Sequence, residues 1–169
     1  MNPSAETSVA VAVARAPHAS SRPALKVAET ESELAAYHAL RREVFVGEQG
    51  LFEGDDLDEK DARAIPIIAT VDGRVVGVVR CYRRVKGVWY GGRLAVARDH
   101  RTGFLGARLV RRAVAEMEAR PDVERFYATV QIQNVAFFER LGWTCRGRSF
   151  VLEGVEHRFM EYPLRRNHP

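Results

Sequence analysis

A long amphipathic segment between two apolar runs is the feature that most restricts how this chain folds. Its apolar positions recur every four residues, at Leu105, Leu109, Ala113 and Met117. This spacing predicts a helix with one buried face. Apolar runs at 88–96 and 125–133 flank the helix, so we expect a strand, a crossover helix and a second strand. Such a crossover is right-handed and joins parallel strands within a mixed sheet.

Shorter elements account for most of the remaining chain. Thr30 and Glu33 form a capping-box pattern, which predicts the start of a helix that runs to about Phe45. Two acidic residue–glycine pairs predict hairpin turns, at Asp72-Gly73 and Glu153-Gly154. We expect further strands at 25–28, 65–71, 75–82, 149–152 and 157–162, and a short helix at 135–141. The predicted fold class is α/β (α+β).

Length and composition limit the chain to one ordinary globular domain. Hydrophobic residues make up 46% of it and charged residues 28%, which excludes disorder over the whole length. We expect a flexible tail at 1–22, which shows no periodicity, and a single domain at 23–169. The two cysteines, Cys81 and Cys145, are too few for a disulfide scaffold or a zinc site, which favours a cytoplasmic protein. No apolar run approaches the roughly 20 residues that span a bilayer.

The charge balance leaves two classes of anionic partner open. The chain has 26 Lys and Arg residues against 22 Asp and Glu residues, a net charge of +4. Most of the basic residues are arginine, whose guanidinium matches phosphate geometry. Nucleic acid and a nucleotide-containing cofactor both fit this excess. The acidic segment at 53–61 and the lack of interleaved basic and aromatic residues argue against nucleic acid.

The loop before the long helix predicts an anion site. A strand segment at 93–96 precedes this loop, and the helix opens with the run Arg101, Thr102, Gly103, Phe104, Leu105 and Gly106. Backbone N–H groups point out of a first helical turn, and the helix dipole favours negative charge there. Arg101 adds a charge-assisted contact. The glycine spacing fits neither a P-loop nor a dinucleotide fingerprint, and a glycine turn that only lets the helix pack is the alternative.

A second informative segment lies at 131–143. Asn134 is expected to cap the short helix, whose buried face carries Phe137, Phe138 and Leu141. Taken by itself, this segment predicts no more than a capped helix with aromatic packing. Its value lies in its position, because it follows the predicted anion site in sequence and is separated from it by one strand.

Together, these segments resemble those of the GNAT superfamily, the GCN5-related N-acetyltransferases, over about 25–164. Residues 93–96 with 101–106 resemble the family's acetyl-CoA pyrophosphate motif, Gln/Arg-x-x-Gly-x-Gly/Ala. Residues 137–143 resemble its second motif, Phe-Tyr-Glu-x-Leu-Gly-Phe. The pattern Val-Phe-x-x-Glu-Gln at 44–49 and Gly-x-x-His-x-x-Met at 154–160 resemble a small bacterial branch, and within it the nitrogen-starvation acetyltransferases.

The resemblance implies a GNAT fold. This fold is a mixed, mostly antiparallel sheet of six to seven strands, flanked by about four helices, with a V-shaped cofactor cleft. The implied activity moves an acetyl group from acetyl-CoA, or another acyl group from its acyl-CoA, directly to the amine of a small molecule or amino acid. We expect no metal, no nucleic-acid partner and no membrane association, and a monomer or homodimer.

The resemblance also implies which residues contact the cofactor. They are Leu94, Ala95, Val96, Arg101, Thr102, Gly103, Phe104, Leu105, Gly106, Asn134 and Phe138. The strand that carries Leu94 is expected to splay from its neighbour and to offer a backbone N–H near Leu94 to the developing oxyanion. The glycines at 91 and 92 suit a β-bulge or a close ligand approach.

Candidates for acid–base chemistry and substrate binding are less sharply defined. Glu48 or His157 is the candidate general base, and a solvated carboxylate and a structural histidine are the alternatives. Candidate substrate-binding residues are Arg80, Gln131 and Gln133. Arg80, expected at the end of a strand, binds a substrate carboxylate or lies on the surface. The two glutamines, expected on one face of their strand, orient water or substrate, or they form hydrogen bonds at the edge of the sheet. The acidic segment at 53–61 either attracts a cationic amine or forms a solvated loop.

Two positions depart from the family's motifs. Phe104 stands at the first loop glycine, with Gly103 one place earlier, and Phe138 replaces the tyrosine that is assigned in many relatives as proton donor to the departing CoA thiolate. A phenylalanine cannot donate that proton, so the thiolate leaves unassisted or water serves. The alternative function is therefore a GNAT module that binds CoA without turnover and acts as a sensor or partner protein.

Overall fold

One open sheet organises the described part of the chain. The computed structural model describes residues 21–165, so the predicted tail lies outside the described residues except for Ser21 and Arg22. The strands are β1 Ala24–Val27, β2 Ile65–Val71, β3 Arg74–Val85, β4 Val88–Val96, β5 Arg125–Gln131, β6 Thr144–Leu152 and β7 Val155–Tyr162. They form one sheet in the order β1-β2-β3-β4-β5-β7-β6. Among the described strands, only the pair β4 and β5 is parallel, so the predicted mixed, mostly antiparallel sheet is confirmed.

Three α-helices accompany this sheet in the region 21–165: α1 Glu31–Arg42, α2 Leu105–Glu118 and α3 Val135–Arg140. The capping box at the start of α1 is confirmed, because Thr30 Oγ1 accepts from the Glu33 N–H at 3.1 Å and the Glu33 carboxylate accepts from the Thr30 N–H at 3.2 Å. The helix does not stop at Phe45. It continues as a π-helical turn, Glu43–Glu48.

The two long helices cover opposite faces of the sheet. Gly77 faces α2, where a Cβ atom would lie only 2.7 Å from Leu109 Cδ1, so glycine permits the close approach of α2. Arg80, three residues further along β3, faces the α1 side, because successive strand residues alternate between faces. The predicted apolar face of α2 is buried against β2, β3 and β4.

Several strand boundaries differ from the sequence expectation. β3 runs to Val85 rather than Tyr82, which places Arg80 inside the strand. β5 ends at Gln131, and Gln133 lies in a 3₁₀ turn instead of sharing a strand face with Gln131. β6 begins at Thr144 rather than 149, with irregular pairing to β7 between Arg146 and Phe150. Glycine and arginine in 144–149 carry little strand signal, so pairing with β7 decides this assignment.

Two further findings concern the described residues as a whole. No helix in this part of the chain is long and apolar enough to cross a membrane. Among residues 21–165, no group of three or more His, Cys, Asp or Glu side chains is placed to hold a metal ion.

Candidate active site

A gap in the sheet between β4 and β5 is the candidate site. The two strands pair over four residues only, Val88–Gly91 of β4 with Arg125–Ala128 of β5. Both strands continue, to Val96 and Gln131, without further register pairs between them in the described chain. The strands therefore diverge and leave a V-shaped opening, as expected. A cavity of about 260 Å³ occupies it.

A one-residue β-bulge lies in β4 where it borders the opening. Arg80 of β3 is opposite Gly92 and Val78 is opposite Ala95, so one residue of β3 faces both Arg93 and Leu94. The bulge lies one residue beyond the Gly91-Gly92 pair that the sequence had indicated. Arg93 has φ +53°, in the left-handed region that costs a non-glycine residue roughly 1–2 kcal/mol.

The side chain of Arg93 reaches a buried acidic group. Its Nε donates to Asp56 Oδ2 at 3.0 Å, and its Nη2 donates to the Asp56 backbone carbonyl at 2.9 Å. The Asp56 side chain is fully buried and also accepts from Arg41 Nε at 2.8 Å. Arg41 projects from α1, so a single carboxylate joins α1, the acidic segment and the bulge of β4.

Arg80 forms a second ion pair with the same acidic segment. Its side chain is 3% exposed, and Nη1 and Nη2 donate to the two carboxylate oxygens of Asp58 at 2.7 and 3.0 Å. Asp61 Oδ1 lies 3.0 Å from Arg80 Nη1. The surface alternative for Arg80 is therefore wrong. Arg80 also lines the cavity, and its Nε has no hydrogen-bond partner in the described chain. Binding of a substrate carboxylate by Arg80 therefore stays a prediction.

Three carboxylates of the acidic segment, those of Asp56, Asp58 and Asp61, are largely buried and paired with arginine, whereas Glu53 and Glu59 are exposed. Burial acts to raise the pKa of Asp58 and of Asp61, but hydrogen bonds from Arg80 and Arg41 outweigh it and hold both pKa values below their ordinary value. Both carboxylates are therefore charged at neutral pH. The arginines that pair with 56–61 come from three different elements: Arg41, Arg80 and Arg93.

The structure brings two of the predicted site residues into contact with each other. Glu48, at the end of the π-helical turn, accepts a hydrogen bond from Arg101 Nη2 at 3.0 Å, and its other carboxylate oxygen lies 2.8 Å from Arg101 Nη1. Arg101 Nε donates to the Val96 carbonyl at 2.8 Å, so Arg101 is held between the two. The hydrogen bond from Arg101 lowers the pKa of Glu48. Gln49, and not Glu48, lines the cavity.

His157 does line the cavity. It lies on β7 opposite Gln131 of β5, is 7% exposed, and stacks its ring on Phe150. Its Nδ1 is 2.7 Å from the Val155 carbonyl. Because a carbonyl oxygen only accepts, Nδ1 carries the proton in the neutral ring and Nε2 is the free acceptor.

A row of amides links the π-helical turn to the end of β5. Gln133 Nε2 donates to Gln131 Oε1 at 2.7 Å, and Gln131 Nε2 donates to Gln49 Oε1 at 3.1 Å. Gln49 was not identified as a site residue from sequence, although its motif was. Asn134 stands at the N-cap position of α3 but makes no side-chain capping bond, and it lines the cavity instead.

The loop before α2 borders a second cavity, of about 430 Å³. Phe104 is the N-cap residue of α2 and its side chain is 84% exposed. Leu105 is buried and does not line this cavity. Two arginines outside the predicted set of site residues, Arg111 and Arg140, line this cavity together with Arg101. The signal for Arg111 was present, because it lies on the polar face of α2.

Comparisons with known proteins agree with this geometry. Residues 23–143 match the model of the Acetyltransferase (GNAT) family. The uncharacterized N-acetyltransferase YjcF of Bacillus subtilis (strain 168) is 26% identical over 132 residues, which is 78% of this chain and 93% of that protein. Escherichia coli ElaA has the same fold, with a TM-score of 0.73 and 21% identity over 84% of this chain and 99% of its own.

An acyl-CoA N-acyltransferase from Pseudomonas aeruginosa also superposes with a TM-score of 0.73, at 26% identity over 84% of this chain and 99% of that chain. These matches place the protein among chains with an acetyltransferase fold. It belongs to the GNAT acetyltransferase family, because the matched family model covers well over half of its length.

Proposed function

We propose that this protein transfers an acetyl group from acetyl-CoA directly to the amine of a small molecule or an amino acid. The observation that carries the proposal is the divergence of β4 from β5 beside the loop that opens α2. An extended pantetheine arm fits between diverging strands, because the backbone of 94–96 has no partner strand on that side. The diphosphate fits the loop, where the first-turn N–H groups of α2 point outward.

Three arginines surround the second cavity and support binding of the phosphates there. Arg101 has two of its nitrogens on Glu48 and a third on Val96, so further N–H groups of its fork remain for a phosphate oxygen. Arg111 and Arg140 contribute two more exposed guanidinium groups. The nucleotide end of acetyl-CoA is then held at the second cavity, and the thioester lies in the first.

The first chemical requirement is polarisation of the thioester carbonyl. The bulge at Arg93 and Leu94 interrupts the ladder to β3, and β5 has already diverged at this level. We assign the Leu94 N–H to the carbonyl oxygen, where a preorganised donor is worth about 3 kcal/mol in the transition state.

The second requirement is a base for the acceptor ammonium. Of the two candidates, His157 is the better placed, since it lines the cavity and presents Nε2 as an acceptor. The Glu48 carboxylate is occupied by Arg101. The amine attacks the thioester carbon, the C–S bond breaks, and CoA leaves as a thiolate. Phe138, which is buried against Trp143, gives that thiolate no proton.

Calorimetry with CoA, followed by a thiol-release assay with acetyl-CoA and a panel of amines and amino acids, tests the proposal. We expect heat with CoA and release of free thiol with at least one acceptor. Binding without thiol release from any acceptor favours the non-catalytic module, and no heat with CoA overturns the proposal.

His157→Asn and Glu48→Gln are the matched pair that identifies the base. We expect His157→Asn to lower kcat by about 10²-fold or more, as loss of a general base does, and Glu48→Gln to have a much smaller effect. The reverse order would assign the base to Glu48.

A further inference from the structure

Arg93 has a backbone conformation that its position does not explain. Three non-glycine residues in the described chain have positive φ: Asp72, Arg93 and Glu153. Asp72 and Glu153 each precede a glycine in a hairpin turn, where left-handed residues are expected. Arg93 instead lies within β4, where glycine would adopt φ +53° without strain.

The contacts of the Arg93 side chain offset the strain of its left-handed backbone. Besides its two hydrogen bonds to Asp56, its guanidinium lies 4.5 Å from the ring centroid of Phe52. Asp56 is itself fixed by Arg41, and no atom of this carboxylate is exposed. Breaking the Arg93–Asp56 contact would leave a buried charge with one partner fewer, so the pair resists any rotation of the Arg93 backbone.

The backbone angles of Arg93 also set the direction of the next peptide group. That peptide consists of the Arg93 carbonyl and the Leu94 N–H in one plane, so a rotation at Arg93 turns the N–H by the same angle. Leu94 lines the cavity between β4 and β5. The orientation of this donor is therefore coupled to an ion pair on the α1 side of the sheet.

We infer that Arg93 is a positioning residue, whose ion pair with buried Asp56 holds the left-handed bulge and thereby aims the Leu94 N–H at the thioester carbonyl. The inference rests on the proposed function. It gives the acidic segment a definite task, because Asp56 and its partner Arg41 form the support for the bulge. Arg93 lines the cavity, but in this role it acts through the bulge and not by contact with acetyl-CoA or the acceptor.

Infrared spectroscopy of bound acetyl-CoA labelled with ¹³C at the thioester carbonyl tests the inference without a known acceptor. In the wild-type protein we expect the carbonyl band to shift to lower frequency on binding, as a hydrogen-bonded carbonyl does. Arg93→Ala still places a non-glycine residue at positive φ but removes the ion pair, so the shift should be lost. Arg93→Gly adopts positive φ without strain, so part of the shift should return.

Asp72→Ala is the matched control, because it leaves a left-handed non-glycine residue in a turn remote from the cleft. It should lower the melting temperature and leave the carbonyl band unchanged. Once an acceptor is found, Arg93→Ala should lower kcat at least about tenfold, approaching the 10²–10³ of a lost oxyanion donor, with KM for acetyl-CoA little changed. Thermal unfolding of each variant confirms that it is folded at the assay temperature.

The carbonyl-band shifts of the variants decide whether Arg93 positions the Leu94 N–H. A retained shift in Arg93→Ala overturns the inference, and so does an equal loss in Arg93→Gly, since the guanidinium would then act directly. A loss of the shift in Asp72→Ala also overturns it, because general destabilisation would suffice. Calorimetric binding of CoA by the wild type with no carbonyl shift overturns the inference alone, whereas no binding overturns the proposed function.

Discussion

Phe138 is the residue whose chemistry departs most from the family motif. Its ring is buried, 5.4 Å from the centroid of Phe137 and 5.5 Å from that of Trp143, and it lines the cleft. A thiol has an ordinary pKa of about 8.5, so its thiolate is an adequate leaving group in mildly basic solution. The proposed reaction therefore runs without a protein proton donor at this position.

Phe138→Tyr tests that conclusion. We expect kcat to change by less than about threefold, well short of the 10²–10⁴ that a general acid contributes. The measurement is the rate of thiol release as a function of pH. Phe137→Tyr, on the neighbouring ring that faces the second cavity, is the control. A rise in kcat of tenfold or more in Phe138→Tyr alone would show that protonation of the thiolate limits the wild-type reaction.

Asp61 makes stability depend on pH. Its folded pKa lies below the ordinary value of an aspartate, about 3.9, as described above. The stabilisation of the folded state by Asp61 is therefore fully present above about pH 4. It is lost as the pH falls below that value, because protonation of Asp61 removes its ion pairs. We expect the free energy of unfolding of the wild-type protein to fall on acidification through this range.

Asp61→Asn should lower the free energy of unfolding at pH 7 by about 3 kcal/mol, because it leaves Arg41 and Arg80 buried with one partner fewer. The gap between variant and wild type should narrow below about pH 4. Urea unfolding at pH 7 and pH 3 measures both. Asp122→Asn, at an exposed turn, is the control and should follow the wild type at each pH. A difference in the free energy of unfolding between Asp61→Asn and the wild type that stays constant with pH would contradict a lowered pKa for Asp61.

Elements defined by local patterns were predictable from the sequence, and those defined by pairing were not. The capping box and the apolar face of α2 depend on residues a few positions apart, and both were placed correctly. Arg93, at the bulge, pairs with a carboxylate 37 positions away in sequence. A charged residue such as Arg41, at a helical position, is ordinarily exposed, so its burial could not be read from α1 alone.

The packing of α2 against β3 gives a test at the scale of elements. Gly77→Ala should destabilise the protein by about 1–3 kcal/mol, because the added methyl group meets Leu109 and forces α2 away from the sheet. Gly47→Ala is the control, since the nearest atom to a Cβ there is 4.0 Å away in the π-helical turn. Thermal unfolding compares the two. Equal melting temperatures would show that α2 moves freely to admit the methyl group.

At the scale of the whole molecule, the candidate site joins segments that are distant in sequence. The anion loop and the aromatic segment were recognisable because each carries a motif. The pairing of Glu48 with Arg101 was not, since 53 positions separate them and each was assigned a different partner. The same holds for Arg111 and Arg140, which meet only when α2 and α3 border one cavity.

The double variant Arg111→Gln, Arg140→Gln tests whether this end of the molecule binds the phosphates. We expect CoA affinity to fall about tenfold, as the loss of two exposed charge pairs implies, with a weaker salt dependence. Calorimetry at two salt concentrations measures both effects. The control is Arg83→Gln, Arg84→Gln, an exposed pair near the opposite end of the sheet, which should bind CoA as the wild type does. Equal affinities in the two double variants would exclude this phosphate site.

The four-residue pairing of β4 with β5 has a consequence for rigidity. In the described sheet, β5, β7 and β6 are joined to the other four strands only by this short pairing. Anything that fills the opening contacts both parts and restrains them together. Amides of 92–96 and of 129–131, though far apart in the chain, should therefore slow their hydrogen exchange in concert when CoA binds, by the free energy of that binding.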